Sequence, residues 1–254
     1  MKVRILGSGT SSGVPRIGND WGACDPANPR NRRTRVSILV ESATTRVLVD
    51  TTPDMREQLL AANIADVDAV IWTHDHADHC HGIDDLRQIY HVRGAPVRGL
   101  ARAPTLSELE TRFAYAFAGR DGYPPTIVGE LLPNSLAIGD VIIDVVDQPH
   151  GNITSAGLRF THNGKSVAYA TDFSEMASAM KALYRGCDLW IADALRRRPH
   201  PTHATLDGVV GWASELAVGR TVLTHMDQSM DYATLAAELP PDIEPGYDGM
   251  EIVL

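Results

Sequence analysis

The segment Trp72-Thr73-His74-Asp75-His76-Ala77-Asp78-His79 crowds three imidazoles and two carboxylates into six consecutive residues. In extended chain alternate side chains share a face, so His74 and His76 can converge on one point as a strand ends. A turn at Ala77 then lets Asp78 and His79 aim at a second point nearby. Imidazole nitrogen and carboxylate oxygen together suit Zn²⁺, Mn²⁺ or Fe²⁺. The bland alternative is a solvated polar loop, but such loops seldom crowd three imidazoles without a ligand to reward it. One loop cannot complete two coordination shells, so further donors are expected at other strand ends. His150 in Gln148-Pro149-His150-Gly151, Asp172 in Thr171-Asp172 and His225 in Thr224-His225-Met226 each follow a β-like run. Taken alone, a strand-end His or Asp is more often a cap than a ligand. Three of them together shift that balance.

The elements that must carry these donors follow from local pattern. Met1–Leu6 reads as a strand ending in the glycine-punctuated loop Gly7–Gly13. Val36–Glu41 and Arg46–Asp50 read as a hairpin, and Thr52-Pro53-Asp54 opens a helix. Ala69–Trp72 is a buried-type strand running into the histidine cluster. Helices are expected over Leu86–Val92 and Leu106–Phe117, the latter inside a stretch from about 104 to 133 that reads as a lid or insertion. Strands follow at Val141–Val146, Gly157–Thr161 and Ser166–Ala170, the last two joined around the hairpin signal Asn163-Gly164. Helix Ser174–Tyr184, strand Leu189–Ala192, helix Leu206–Ala217, strand Thr221–Leu223 and helix Tyr232–Leu239 complete the pass. Strands in two groups with helices enough to cover the outer faces predict one layered α/β domain over 1–254.

Composition bounds the function classes. Of 254 residues, 44% are hydrophobic and 22% charged, as in an ordinary globular chain, which excludes disorder and fibrous repeats. No apolar run approaches the ~18–20 residues that a bilayer span needs. MKVRILGSGT lacks the apolar core of a secretion signal, and Cys24, Cys80 and Cys187 are odd in number and widely spaced. Both point to a reducing cytoplasm. A formal charge of −9 disfavours long nucleic acid as a partner.

His74, His76, Asp78, His79, His150, Asp172 and His225 together resemble, in order and from end to end, the ligand set of the metallo-β-lactamase superfamily. The resemblance implies a four-layer αββα sandwich with a two-metal site at the edge between the sheets. It further implies that His74, His76 and His150 hold one metal, that Asp78, His79 and His225 hold the other, and that Asp172 bridges them. A bridging carboxylate is similar to the phosphodiesterase and glyoxalase branches. Gly82–Arg87, Asn31–Arg35, Pro199–Leu206 and the Leu6–Thr10 loop look like the PhnP-type phosphodiesterases, relatives of ribonuclease Z. The early loop departs from that pattern: of the cysteines that the family uses for a separate structural zinc, it retains only Cys24.

Two metals ~3.5–4 Å apart can lower the pKa of a bound water towards ~7 and neutralise charge on phosphoryl oxygens. The resemblance, with which this physics agrees, implies hydrolysis of a small phosphodiester, a cyclic ribose phosphate or nucleotide-like molecule, with two divalent ions (Mn²⁺ or Zn²⁺, with Fe²⁺ also admissible). The leaving alkoxide needs a proton. His203, outside the ligand set, is the candidate general acid, His200 could exchange roles with it, and Asp78 belongs to the catalytic group as well as the ligands. Arg87 and Ser11 are candidate substrate contacts beside His203. Asp50, Asp84 and Asp193 are candidates to accept the outer N–H of the ligand imidazoles. Competing readings are a ribonuclease Z-like nuclease, a glyoxalase II-like thioester hydrolase, and a non-catalytic nucleotide- or metal-binding module. Related enzymes are commonly dimers, so the resemblance admits a homodimer, although the sequence itself does not identify the oligomeric state.

Overall fold

In the computed structural model, which describes residues 1–254, the first half of the chain alternates strands and helices. It runs β1 (Lys2–Gly7), β2 (Ser37–Glu41), β3 (Arg46–Val49), α1 (Met55–Ala62), β4 (Ala69–Ile71), α2 (Ala77–Cys80) and α3 (Leu86–Arg93). β5 (Val97–Ala101), α4 (Ala103–Arg112), α5 (Ala114–Ala118) and β6 (Ile127–Leu131) close that half. The second half runs β7 (Ser135–Ile138), β8 (Val141–His150), β9 (Ile153–His162), β10 (Lys165–Ala170), α6 (Ser178–Tyr184) and β11 (Leu189–Asp193). It ends with α7 (Leu206–Leu216), β12 (Thr221–Thr224), α8 (Tyr232–Glu238), β13 (Ile243–Pro245) and β14 (Glu251–Val253). No helix is long and apolar enough to cross a membrane.

The strands form two seven-stranded sheets, β14-β1-β2-β3-β4-β5-β6 and β13-β12-β11-β10-β9-β8-β7. Strands buried on both faces read as continuous apolar runs, as Ser37–Glu41 and Leu189–Asp193 do. One face of each sheet packs on the other through Ile38, Val49, Ile71, Phe160, Tyr169 and Ile191. The opposite face of the first sheet is covered by α1, α3 and α4 through Met55, Leu59, Leu86, Ile89 and Leu106. That of the second is covered by α6, α7 and α8 through Met180, Tyr184, Val209, Leu216 and Leu235. The order helix, sheet, sheet, helix is the αββα sandwich expected from the sequence.

This topology gathers the donors at one edge. β3 and β4 pair in parallel, as do β10, β11 and β12. Parallel strands release their carboxyl ends on the same side, so Asp50, the His74 loop, Asp172, Asp193 and His225 emerge together. β8 is antiparallel to β9, which is antiparallel to β10, so the end of β8 brings His150 to the same edge. The two sheets are tied there by a hydrogen bond from Ala156 N to Thr73 O at 2.8 Å. Asp50, Asp172 and His225 sit just beyond their strands with φ of 64°, 53° and 56°. This left-handed backbone is sterically costly for residues with a Cβ, and Asp and His are among the types that enter it most readily.

Several boundaries differ from the sequence expectation. β8 runs on through Pro149 to His150, because its ladder with β9 continues to the pair His150–Ile153. The Leu106–Phe117 helix is two helices meeting at Phe113, whose backbone leaves the helical region. α6 starts at Ser178 rather than Ser174. The 104–133 stretch builds α4 and α5 and returns as β6, which pairs in parallel with β5 at the sheet edge. β5 carries no sequence signal because Gly99 interrupts it. A Cβ at Gly99 would lie 2.4 Å from Trp72 Cζ3 and 2.9 Å from Ile127 Cγ2. Trp72 in turn anchors the start of the histidine loop, donating Nε1–H to Thr51 Oγ1 at 2.9 Å. Gly99→Ala is therefore expected to destabilise the fold by about 1–3 kcal/mol through overpacking. The check is thermal unfolding, where an unchanged midpoint would show that the indole has room to move.

Candidate metal centre

The seven donors split into two cages that share one carboxylate. In the first, His150 Nε2 lies 3.3 Å from His76 Nδ1 and 3.5 Å from Asp172 Oδ2, and His74 Nε2 lies 3.6 Å from the same oxygen. In the second, Asp172 Oδ1 lies 3.2 Å from His79 Nε2 and 3.5 Å from His225 Nε2. Asp78 Oδ2 completes it, 3.5 Å from each of those two nitrogens. Four donors each ~2.0–2.1 Å from one cation stand about 3.3–3.4 Å from one another in a tetrahedron. The observed edges of 3.2–3.6 Å match that spacing, and most are longer than the ~2.7–3.2 Å usual for a hydrogen bond.

A second observation independently favours a cation. Nε2 of His74, His79 and His225 are all buried with no hydrogen-bond partner. Buried polar atoms are ordinarily satisfied, so three orphaned nitrogens aimed at two points indicate the ligand type they await. The donors are N and O only. Cys80 donates to Asp75 O, while Cys24 faces the buried guanidinium of Arg33, 3.8 Å from Nη1, rather than further thiols or imidazoles. His76 is the exposed member of an otherwise buried set, so the first cage is open to solvent on its side.

The outer nitrogens are held by separate parts of the chain. His79 Nδ1–H donates to Asp50 Oδ2 at 2.7 Å, and His150 Nδ1–H to Thr202 O at 2.8 Å. His74 Nδ1 meets Thr73 Oγ1 at 3.1 Å, and that hydroxyl also reaches Asp50 Oδ2 at 2.9 Å. Asp193 serves two rings: Oδ2 accepts from His203 Nδ1 at 2.8 Å, and Oδ1 faces His225 Nδ1 at 3.7 Å. His203 Nε2 then lies 3.8 Å from Asp172 Oδ2, with its ring stacked on His225. Asp50 thus accepts from a donor imidazole as the sequence reading expected, whereas Asp193 hydrogen-bonds His203, outside the donor set, and leaves His225 Nδ1 without a hydrogen bond. Thr73 and Thr202 went unnoticed there, because a threonine hydroxyl and a loop carbonyl have no sequence signature.

Two candidates do not reach the cages. Asp84 and Arg87 are exposed and pair with each other at 3.6 Å, one helical turn beyond the donor loop. Their side chains leave the cluster because Ile83 and Leu86 take the buried face of that turn. Neither side chain makes a hydrogen bond or ion pair with any of the seven donors, so Asp84 supports no imidazole. Ser11 is exposed on the loop whose Gly9–Thr10 backbone pairs beside Met226, next to His225, and its side chain makes no hydrogen bond. His200 stands one ring outside His203, with centroids 4.9 Å apart.

Sequence reasoning also missed the brace on the donor loop. Arg112 at the end of α4 donates Nη1–H to Asp75 O at 2.6 Å and pairs through Nη2 with the Asp75 carboxylate. The next residue, Phe113, packs its ring edge-on against His81 at 5.7 Å. Two consecutive residues of the α4–α5 elbow therefore grip both flanks of the 74–81 loop. Arg112→Met is expected to lower divalent-cation affinity about tenfold, comparable to loss of an outer-shell partner, with Arg112→Lys intermediate. Competition with a chromogenic chelator reads this, and unchanged affinity in both variants would remove the brace from the account.

The charges follow from the same geometry. Burial alone would lower the pKa of His79 and His225. The neighbouring carboxylates override it, Asp172 foremost, raising His79 well above 6.5 and His225 to about 9. Burial would raise Asp78 and Asp172, but the surrounding imidazoles hold both well below the usual carboxylate range. For His74, His76 and His150, burial dominates and the pKa falls. The metal-free cage therefore keeps protons on His225 and His79 at neutral pH, and an entering cation must expel them. Calorimetric titration at pH 7.5 in buffers of different ionisation enthalpy should show release of at least one proton. Apparent affinity should rise about tenfold per pH unit per proton expelled, up to the pKa of about 9 for His225. Because that folded-state value lies above the unfolded 6.5, the metal-free fold has this stabilisation in full below 6.5. It loses it as pH rises through about 9. A binding heat independent of buffer would contradict the assignment.

Comparison with known proteins adds to this geometry. Residues 45–226 match the family described as the beta-lactamase superfamily domain. A solved structure described as a new diphosphatase from the PhnP family superposes with a TM-score of 0.90 and 36% identity, over 99% of this chain and 97% of that one. Zn²⁺-bound PqqB from Methylobacterium extorquens superposes at 0.82 with 19% identity over the whole of both chains, a likeness of fold. An octanoyltransferase from Porphyromonas gingivalis is 33% identical over 264 residues, covering all of this chain. The chain spans about half the length of that curated relative, 52%.

Proposed function

The chain belongs to the metallo-β-lactamase superfamily, in its PhnP-type branch, and on that premise we propose that it hydrolyses a phosphoryl ester or anhydride bond in a small ribose-phosphate or nucleotide-like substrate. The observation that carries this reading is the placement of Asp172, one oxygen in each cage, beside a His203 that Asp193 holds with Nε2 towards that carboxylate. His74, His76, His150 and Asp172 would hold one divalent ion, and Asp78, His79, His225 and Asp172 a second. Zn²⁺, Mn²⁺ and Fe²⁺ all suit these donors. Bound there, the ions would supply a nucleophilic water of pKa near ~7 and neutralise charge growing on the phosphoryl oxygens.

The chain's own groups do the rest. Asp172 fixes the spacing between the cages, and Asp78, kept ionised, has Oδ1 left to accept a hydrogen bond from the attacking water. Asp193 accepts the Nδ1–H of His203, which orients the ring and leaves Nε2 towards the cages. Nε2 of His203 then carries the proton that the departing oxygen needs. His200 is not placed for that task, since it has no carboxylate behind it and lies further from Asp172.

The diphosphatase neighbour favours a P–O–P bond as one target, alongside the phosphodiester expected from the sequence. The octanoyltransferase relative does not redirect the reading. Acyl transfer needs a nucleophile or acyl carrier, and the cages contain no amine and no thiol, the three cysteines being buried elsewhere. A thioester hydrolase with an acidic thiol substrate is disfavoured by α8, which has no basic residue to receive it. A charge of −9 weighs against a structured RNA substrate.

Turnover of bis(p-nitrophenyl) phosphate and of a dinucleoside diphosphate by the metal-loaded protein tests the reading. His203→Asn should lower kcat by about 10²–10⁴-fold on substrates with a poor leaving group. His76→Ala should abolish turnover together with cation binding, and His162→Ala, at the far end of β9, should change neither. Chelated protein that keeps full turnover would refute the reading, and cation binding without turnover of any phosphate substrate would favour a sensor.

A further inference from the structure

His200 and His203 are adjacent imidazoles held in opposite tautomers. His203 donates Nδ1–H to Asp193, which leaves Nε2 facing the cages. At His200 the bonding is reversed: Nδ1 accepts the backbone N–H of Thr202 at 3.3 Å and lies 3.2 Å from the Thr202 hydroxyl. A backbone N–H can only donate, so Nδ1 must keep its lone pair and the ring proton sits on Nε2. The loop that carries His200 is fastened to the metal centre itself. Thr202 O accepts from His150 Nδ1 at 2.8 Å, so one residue's backbone links His150 to His200. Thr202 Cγ2 leans so closely on Gly151 that a Cβ there would lie 2.8 Å away. Upstream, Arg196 donates to Arg198 O at 3.2 Å and to Pro199 O at 3.0 Å, closing the other side of the loop.

His200 is partly exposed, and among the imidazoles it touches only His203. It therefore sits one ring further from the cages than the proton carrier. On the reading above His203 meets the departing oxygen, so the ring outside it lies on the departing side. We propose that His200 is a specificity residue whose Nε2–H donates to a phosphoryl oxygen of the departing group, so that the protein prefers substrates whose leaving portion itself bears a phosphate. This rests on the phosphoryl-hydrolase reading above. Burial, with the nearby His203 and Arg196, also keeps His200 neutral, which suits a hydrogen-bond donor and not an acid.

The test compares two substrates on the metal-loaded enzyme. p-Nitrophenolate leaving from bis(p-nitrophenyl) phosphate has no phosphoryl oxygen, whereas the nucleotide leaving from a dinucleoside diphosphate has. His200→Ala should raise KM for the diphosphate about tenfold, the size of one hydrogen bond to a charged group, and change bis(p-nitrophenyl) phosphate by no more than about twofold. His200→Gln, whose amide can stand near Nε2, should recover most of the loss, and the pH profile of kcat should stay in place for both variants. Equal losses on both substrates, or a displaced profile, would overturn the proposal. Long-range ¹⁵N–¹H imidazole spectra of the same enzyme give a second measurement that does not depend on turnover. They should show His200 protonated at Nε2, with that signal shifting on addition of inorganic pyrophosphate. An Nδ1–H form, or no response to pyrophosphate, refutes the assignment. Failure of the wild type to cleave either substrate would instead refute the phosphoryl-hydrolase reading and leave the spectra to decide His200.

Discussion

Asp172 offers one oxygen to each of two imidazole clusters, and every other part of the site is arranged around that division. Its Oδ2 faces His74 and His150 while Oδ1 faces His79 and His225. A single carboxylate is short and rigid, so it sets the separation of the two cages more firmly than any pair of independent side chains could. It is held in turn by Thr171 Oγ1, donating to Oδ1 at 2.6 Å, and by Ser155 Oγ, donating to the Asp172 carbonyl at 2.8 Å. Removing the bridge would leave two half-sites with no fixed relation to each other.

The orientation of the imidazoles is a property of the whole sandwich. Asp50 comes from the end of β3, Thr73 from the end of β4, Thr202 from the loop after β11, and Asp193 from the end of β11 itself. No one segment holds both a donor ring and all that aims it. This dispersion explains why the inter-sheet core and the parallel pairings matter to chemistry occurring at the rim. A ring misdirected by even a few tenths of an ångström would open an edge of the tetrahedron. It also explains why Arg112, which touches no donor atom, belongs to the functional description: it fixes the peptide between His74 and His76.

Much of this was readable from residue types. The His74–His79 cluster, His150, Asp172 and His225 stood out because imidazoles and carboxylates at strand ends are rare without purpose, and the layered α/β class followed from strand runs alternating with amphipathic segments. What stayed hidden had physical reasons. β5 is broken by Gly99, whose role is to admit the Trp72 indole, and that contact joins residues 27 positions apart. β7, β13 and β14 are short and owe their pairing to neighbours rather than propensity. Asp84 and Arg87 looked suitable by proximity in sequence, yet the helical turn at 83–86 spends its inward positions on Ile83 and Leu86 and sends the charges outward. The roles of His200 and His203 could not be separated by sequence, since they are distinguished by which nitrogen each ring has free.

The left-handed backbone at Asp50, Asp172 and His225 has a consequence for how this protein can change over time. Each such residue holds the fold in an unfavourable conformation, at a cost of roughly 1–3 kcal/mol per position, which glycine would relieve. Stability and chemistry therefore pull these three sites in opposite directions. A lineage freed from selection for turnover would gain robustness by letting them drift to glycine or asparagine, long before its sheets or helices altered.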